Sequence, residues 1–100
     1  MNYEFIGWAQ DQTKNEDKIW GIIKLSGDDW QGTYVSFWGR RGKKLQTKIY
    51  KDEYAWTMEK LADQKQEKGY QKIDQSKLDT VYPEFEKDLQ KTAVWSMLKC

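Results

Sequence analysis

Residues 33–51 read TYVSFWGRRGKKLQTKIYK, two runs of alternating side chains on either side of a glycine-bearing turn, which is the pattern of a β-hairpin. In the first run a period of two puts Thr33, Val35, Phe37 and Gly39 on one face and Tyr34, Ser36, Trp38 and Arg40 on the other. After Gly42-Lys43-Lys44 the second run alternates Leu45, Thr47 and Ile49 with Gln46, Lys48 and Tyr50. Val35, Phe37, Leu45, Thr47 and Ile49 are therefore assigned to a core. If the hairpin pairs in register, Gln46 and Lys48 join Trp38 and Arg40 on its outer face.

The same segment holds the unopposed charge. From Trp38 to Lys51 there are six bases and no acid, whereas residues 1–37 have six acids to three bases and residues 52–100 have ten to eight. A net charge of +1 with one dense basic segment suggests a single anion-facing surface rather than a generally basic protein. An indole beside a guanidinium suits stacking on a sugar or base with phosphate contact. The competing reading makes Trp38 a core residue with Arg40 extended over it.

The remaining strands are shorter statements of the same kind. Residues 3–10 alternate loosely, with Tyr3 and Phe5 opposite Ile6 and Trp8, and read as a first strand; residues 11–17 are a polar loop. Residues 18–25 place Ile19, Trp20, Ile22, Ile23 and Leu25 on both faces, as a central strand requires. Ser26-Gly27-Asp28-Asp29 forms a turn. Asp52 is placed to cap a helix running to about Lys68 and stopped by Gly69, with Tyr54, Met58, Leu61 and Lys65 as its packing stripe, flanked by Ala55 and Ala62. Trp56 lies off that stripe, so it either caps the sheet edge or stands exposed as a contact site. Lys65, Lys68 and Lys72 read as a solvated helix face. Residues 70–73 can add an edge strand, and residues 74–80 form a polar connector. Pro83, with Glu84 and Glu86, opens a C-terminal helix over residues 83–99 that either packs back on the sheet or meets a partner.

The expected fold is α+β: a small antiparallel sheet of four to five strands packed by one helix, plus a C-terminal helix. One hundred residues suit one core, and although the hydrophobic share is only 38%, six Trp, six Tyr and three Phe supply large apolar surfaces to fill it. No apolar run approaches a membrane span and the first residues lack a signal-peptide pattern, so a cytoplasmic protein without a membrane partner is expected. The only cysteine is Cys100 and histidine is absent, which removes an intrachain disulfide, a cysteine metal cluster and the commonest general base; no metal or other cofactor is expected. Paired acids such as Asp28-Asp29 sit in turn-like surroundings. Gly39 and Gly42 lack the Gly-Lys-Ser/Thr of a phosphate loop. Nothing here argues for an enzyme.

Trp38-Gly39-Arg40, followed by Gly42 and Gln46, resembles the signature of the WGR domain: Trp-Gly-Arg, an aliphatic, Gly, two variable residues, then Gly-Gln. The order around it is also similar, with Lys18-Ile19-Trp20 opening an upstream strand and a helix ending in Lys68-Gly69-Tyr70. Arg41 stands where an aliphatic is usual and Leu45 where a glycine is usual. The likeness covers roughly residues 3–73, so residues 1–75 are taken as a WGR-like domain and residues 76–100 as a helical extension packed on it. WGR domains occur in DNA-damage-dependent poly(ADP-ribose) polymerases and in small bacterial proteins. The resemblance implies binding to broken DNA ends, with Trp38 packing on the terminal nucleotide and Arg40 bridging to DNA or to a neighbouring domain.

Two functions follow as expectations. In one, the chain is a non-catalytic module that binds nucleic acid, DNA by preference, at ends or nicks: Trp38 stacks, Arg40, Arg41, Lys43, Lys44 and Lys48 neutralise phosphates, and Gln46 supplies a hydrogen bond. In the other it is a protein-interaction adaptor in a DNA-processing or stress system. A basic hairpin that only keeps the fold soluble is the plainest alternative.

Overall fold

Isoleucines and aromatic residues are spread at alternating positions through residues 2–54, and a computed structural model, describing residues 1–98, forms this stretch into four consecutive strands: β1 (Asn2–Asp11), β2 (Glu16–Gly27), β3 (Gln31–Arg40) and β4 (Gln46–Tyr54). Helix α1 (Ala55–Glu67) then crosses one face, and β5 (Gln71–Lys72) pairs with the free edge of β1. The result is an antiparallel sheet of order β4-β3-β2-β1-β5. Three short helices follow: α2 (Leu78–Val81), α3 (Phe85–Gln90) and α4 (Trp95–Leu98). Lys99 and Cys100, including the expected end of the C-terminal helix, lie outside the described residues.

Both faces of the sheet are covered, because β2 and β3 are apolar on both. On one face Ile19, Ile23, Val35 and Phe37 pack against Leu78, Tyr82, Phe85, Leu89, Val94 and Leu98, so the C-terminal segment packs back onto the sheet. On the other, Phe5, Trp20, Ile22 and Tyr34 pack under Met58 and Ala62 of α1. The face expected to be open is therefore roofed over its middle, with Tyr34 and Ser36 only 2% and 1% exposed. Gly21 makes the first core possible: a Cβ there would stand 2.3 Å from Cζ of Phe37, so the phenyl ring lies where a side chain would have been.

Several local expectations are corrected. Tyr3 and Phe5 do not share a face, because Glu4 is an extra residue between the pairs Tyr3↔Ile23 and Phe5↔Ile22; after this bulge Phe5 enters the α1-side core, and Tyr3 packs on the other. Asp52 does not cap α1. Its φ of 51° belongs to a second bulge, in which Lys51 and Asp52 oppose Thr33 alone, and the helix begins three residues later with no side-chain cap. Ile49 faces the expected core side but lies on the edge strand and remains 36% exposed. Gly69, at φ 103°, ends the helix as expected.

The single helix expected over residues 83–99 is two pieces, α3 and α4, and the connector expected before it forms α2 and contributes buried Leu78. Phe85 and Leu89 lie four residues apart on one helical stripe, but Val94 is five beyond Leu89, which would turn it roughly 140° away in a continuous helix. The break at residues 91–94 restores its aim toward the sheet. Thr92 fixes the break, its hydroxyl donating to the Leu89 carbonyl at 2.7 Å.

Candidate nucleic-acid interface

Register decides which candidate residues meet. Trp38 lies opposite Trp20 of β2 and opposite Gln46 of β4, Arg40 opposite Lys18, and Lys48 opposite Ser36. All of these project from the α1-side face, toward the end of the sheet where β3 finishes. Trp38 is partly buried, packing against the cluster beneath α1 while keeping a solvent-accessible part. It thus combines the two readings that the alternation left open.

Arg40 is exposed and held in place. Its Nη1 donates to the Asn15 carbonyl at 2.8 Å and its Nη2 to Asn15 Oδ1 at 3.1 Å, which leaves further N–H donors facing outward. Asn15 reaches this position because it takes a left-handed φ of 54° at the end of the β1–β2 hairpin. Beyond Arg40 the chain turns, Lys43 donating its backbone N–H to the Arg40 carbonyl at 3.0 Å, with Gly42 at φ 84°. Lys43 and Lys44 are exposed on this turn.

Arg41 goes elsewhere. It points to the opposite face, where Nε and Nη2 donate to Asp17 Oδ2 at 3.2 and 2.9 Å and Nη1 donates to the Val81 carbonyl. Its guanidinium lies 5.0 Å from the centre of the Trp8 ring, whose own Nε1 donates to Asp17 Oδ1 at 2.9 Å. Arg41 therefore ties the turn to β2 and to α2 through a satisfied, half-buried ion pair.

Three cations join the face that the hairpin pattern did not assign to it. Lys65, from the last turn of α1, sits 5.5 Å over the Trp20 ring, and Lys18 sits 5.6 Å over Tyr70. Partial burial lowers the Lys65 pKa, and the positive charges of nearby Lys68 and Lys18 lower it further. Lys48 in turn lies 4.9 Å over Tyr50. The surface alternates cations with aromatic rings. Glu16 stands at its margin, 3.8 Å from Lys18 in an exposed pair. The sequence held one signal for this extension: Lys65 occupies the apolar stripe of α1, where a lysine must reach out over the sheet. Among the described residues no group of three or more His, Cys, Asp or Glu is placed to hold a metal ion, and no helix is long and apolar enough to cross a membrane. Comparison of the chain with protein-family models, curated proteins and solved structures gave no match.

Proposed function

We propose that this protein is a non-catalytic polyanion-binding module. Its ligand under this reading is nucleic acid, specifically DNA at ends or nicks, held by phosphate contacts and tryptophan stacking with little sequence preference. The observation that carries the reading is the gathering of Trp38, Arg40, Gln46 and Lys48 with Lys18, Lys65 and Lys68 on one face of the sheet. Cations spaced among rings suit a phosphodiester backbone with bases beside it, and a partly buried indole has a fixed orientation that favours stacking on a terminal base pair. The likeness of Trp38-Gly39-Arg40 to the WGR signature supports the choice of DNA ends. Arg41 is left out of the interface because Asp17 already neutralises it.

Binding of a blunt, 5′-phosphorylated duplex is measured against closed circular DNA over a range of salt. Neutralising about four phosphates gives a slope of log affinity on log salt of about −3.6. Arg40→Ala with Lys44→Ala weakens binding to both forms alike, whereas Trp38→Ala weakens end binding more than internal binding. An affinity indifferent to salt removes the nucleic-acid reading, and equal losses on both DNA forms for Trp38→Ala remove the stacking role.

A further inference from the structure

The opposite end of the sheet carries a second surface of different chemistry. Trp30 in the β2–β3 turn and Tyr54 and Trp56 at the start of α1 are 79%, 51% and 62% exposed, unusual for the largest side chains of so small a domain. These rings are displayed by fixed backbone. Asp28 accepts from the N–H groups of Trp30 and Gln31 at 2.8 and 3.0 Å, and the Trp30 carbonyl accepts from the Ala55 N–H at 2.8 Å, which joins the turn to the helix start. The Tyr54 and Trp56 rings lie 6.0 Å apart and within 17° of parallel.

Beside them a cleft of about 400 Å³ opens between α1 and the sheet, within the range of side-chain and small-ligand sites. Asp29 and Ala55, chain neighbours of the exposed rings, are part of its lining. Its floor is apolar, including Phe5, Tyr34 and Met58, and Glu4, Asp29, Glu59 and Asp63 outnumber Lys24 and Lys72 around it. Lys24 is itself engaged, its Nζ donating to the Asp28 carbonyl and lying 5.7 Å over the Tyr34 ring. Asp52 and Glu53 add negative charge beside Tyr54. An anion is repelled by this end, and a purely apolar ligand has no use for its acids. A small molecule confined to the cleft leaves the outer rings untouched.

We propose that this end is a docking site for a basic, extended segment of a partner protein, its arginine or lysine side chains lying on Trp30, Tyr54 and Trp56 and reaching into the acid-rimmed cleft. Guanidinium and ammonium groups are attracted to ring faces and carboxylates alike, and their aliphatic stems match the apolar floor. The site does not depend on DNA binding at the other end of β3.

A short capped peptide of alternating arginine and leucine is the probe, titrated into isotope-labelled full-length protein by NMR and calorimetry. The expected result is amide shifts centred on residues 28–31 and 52–66 and on the cleft residues Glu4, Phe5, Lys24, Tyr34 and Lys72. Trp30→Ala with Trp56→Ala weakens the peptide about tenfold, and Glu59→Gln with Asp63→Asn weakens it about threefold. These positions are exposed, so the variants retain the parent circular dichroism and thermal midpoint. The proposal is overturned by equal binding of a glutamate-for-arginine peptide, by shifts centred on Trp38, or by undiminished affinity in the tryptophan variant. Spermidine that binds as tightly as the peptide also overturns it, in favour of a polyamine. So does a dimer without peptide that Trp56→Ala dissolves, which makes the occupant a second copy of this chain.

Discussion

Arg41 and Lys44 are three residues apart in one basic run, yet the fold gives them different work. Arg41 is matched to Asp17, the Val81 carbonyl and the Trp8 ring, so its charge is spent inside the molecule. Lys44 is exposed on the turn. Arg41→Ala is therefore expected to lower unfolding free energy by about 1–3 kcal/mol, because Asp17 and the carbonyl lose a charged donor, while leaving the salt slope of DNA binding unchanged. Lys44→Ala is expected to change stability by less than about 0.5 kcal/mol and to reduce the slope by about 1. Denaturant melts and salt titrations of the two variants separate the roles. Residue type and spacing display the run but not this division, since the partner acid lies 24 positions earlier and meets Arg41 only through strand pairing.

At the scale of elements, alternation made β3 legible, including the split of Val35 and Phe37 from Trp38 and Arg40, because a central strand with two dry faces leaves its period in the side chains. Bulges are harder to see. One extra residue, Glu4 in β1 or the Lys51–Asp52 pair in β4, reverses the faces beyond it without altering composition. Lys65 and Lys68 read as solvated because acids lie near them in the chain; the place of Lys65 on the packing stripe of α1 was the one contrary sign, and the path of α1 over Trp20 brings both to the candidate interface. The C-terminal segment was legible as a helix opened at Pro83, its interruption less so, because residues 84–98 carry no proline or glycine to mark the break. That segment completes one of the two cores, so Leu89→Ala, at a position with 0% exposure, is expected to cost about 2–5 kcal/mol, whereas Met97→Ala, 40% exposed, stays within about 0.5 kcal/mol. Urea titration of both variants measures the difference.

For the whole molecule, the core beneath the C-terminal helices sets an alkaline limit. Tyr82 has its pKa pushed up from 10.0 to about 12, first by burial and then by its hydrogen bond to Asp88. Tyr3 is raised to about 12 by burial, with Glu86 and Asp79 adding repulsion. The neutral phenols are thus favoured by folding. Their contribution is complete below pH 10, where the unfolded side chains are also protonated, and is lost as pH rises through about 12. Circular dichroism across that window is expected to show loss of structure together with tyrosinate absorbance, and Tyr3→Phe to move the midpoint upward. A midpoint unmoved by Tyr3→Phe contradicts the assignment.

The sheet is not closed, and β4 is the strand it leaves at one border. That border is interrupted by the left-handed Asp52 and studded with Lys48 and Lys51, features that oppose pairing with a stray strand from another molecule. These lysines thereby guard against fibril growth, and because the proposed function also assigns Lys48 to polyanion contact, acetylating this border would weaken ligand capture and colloidal stability together.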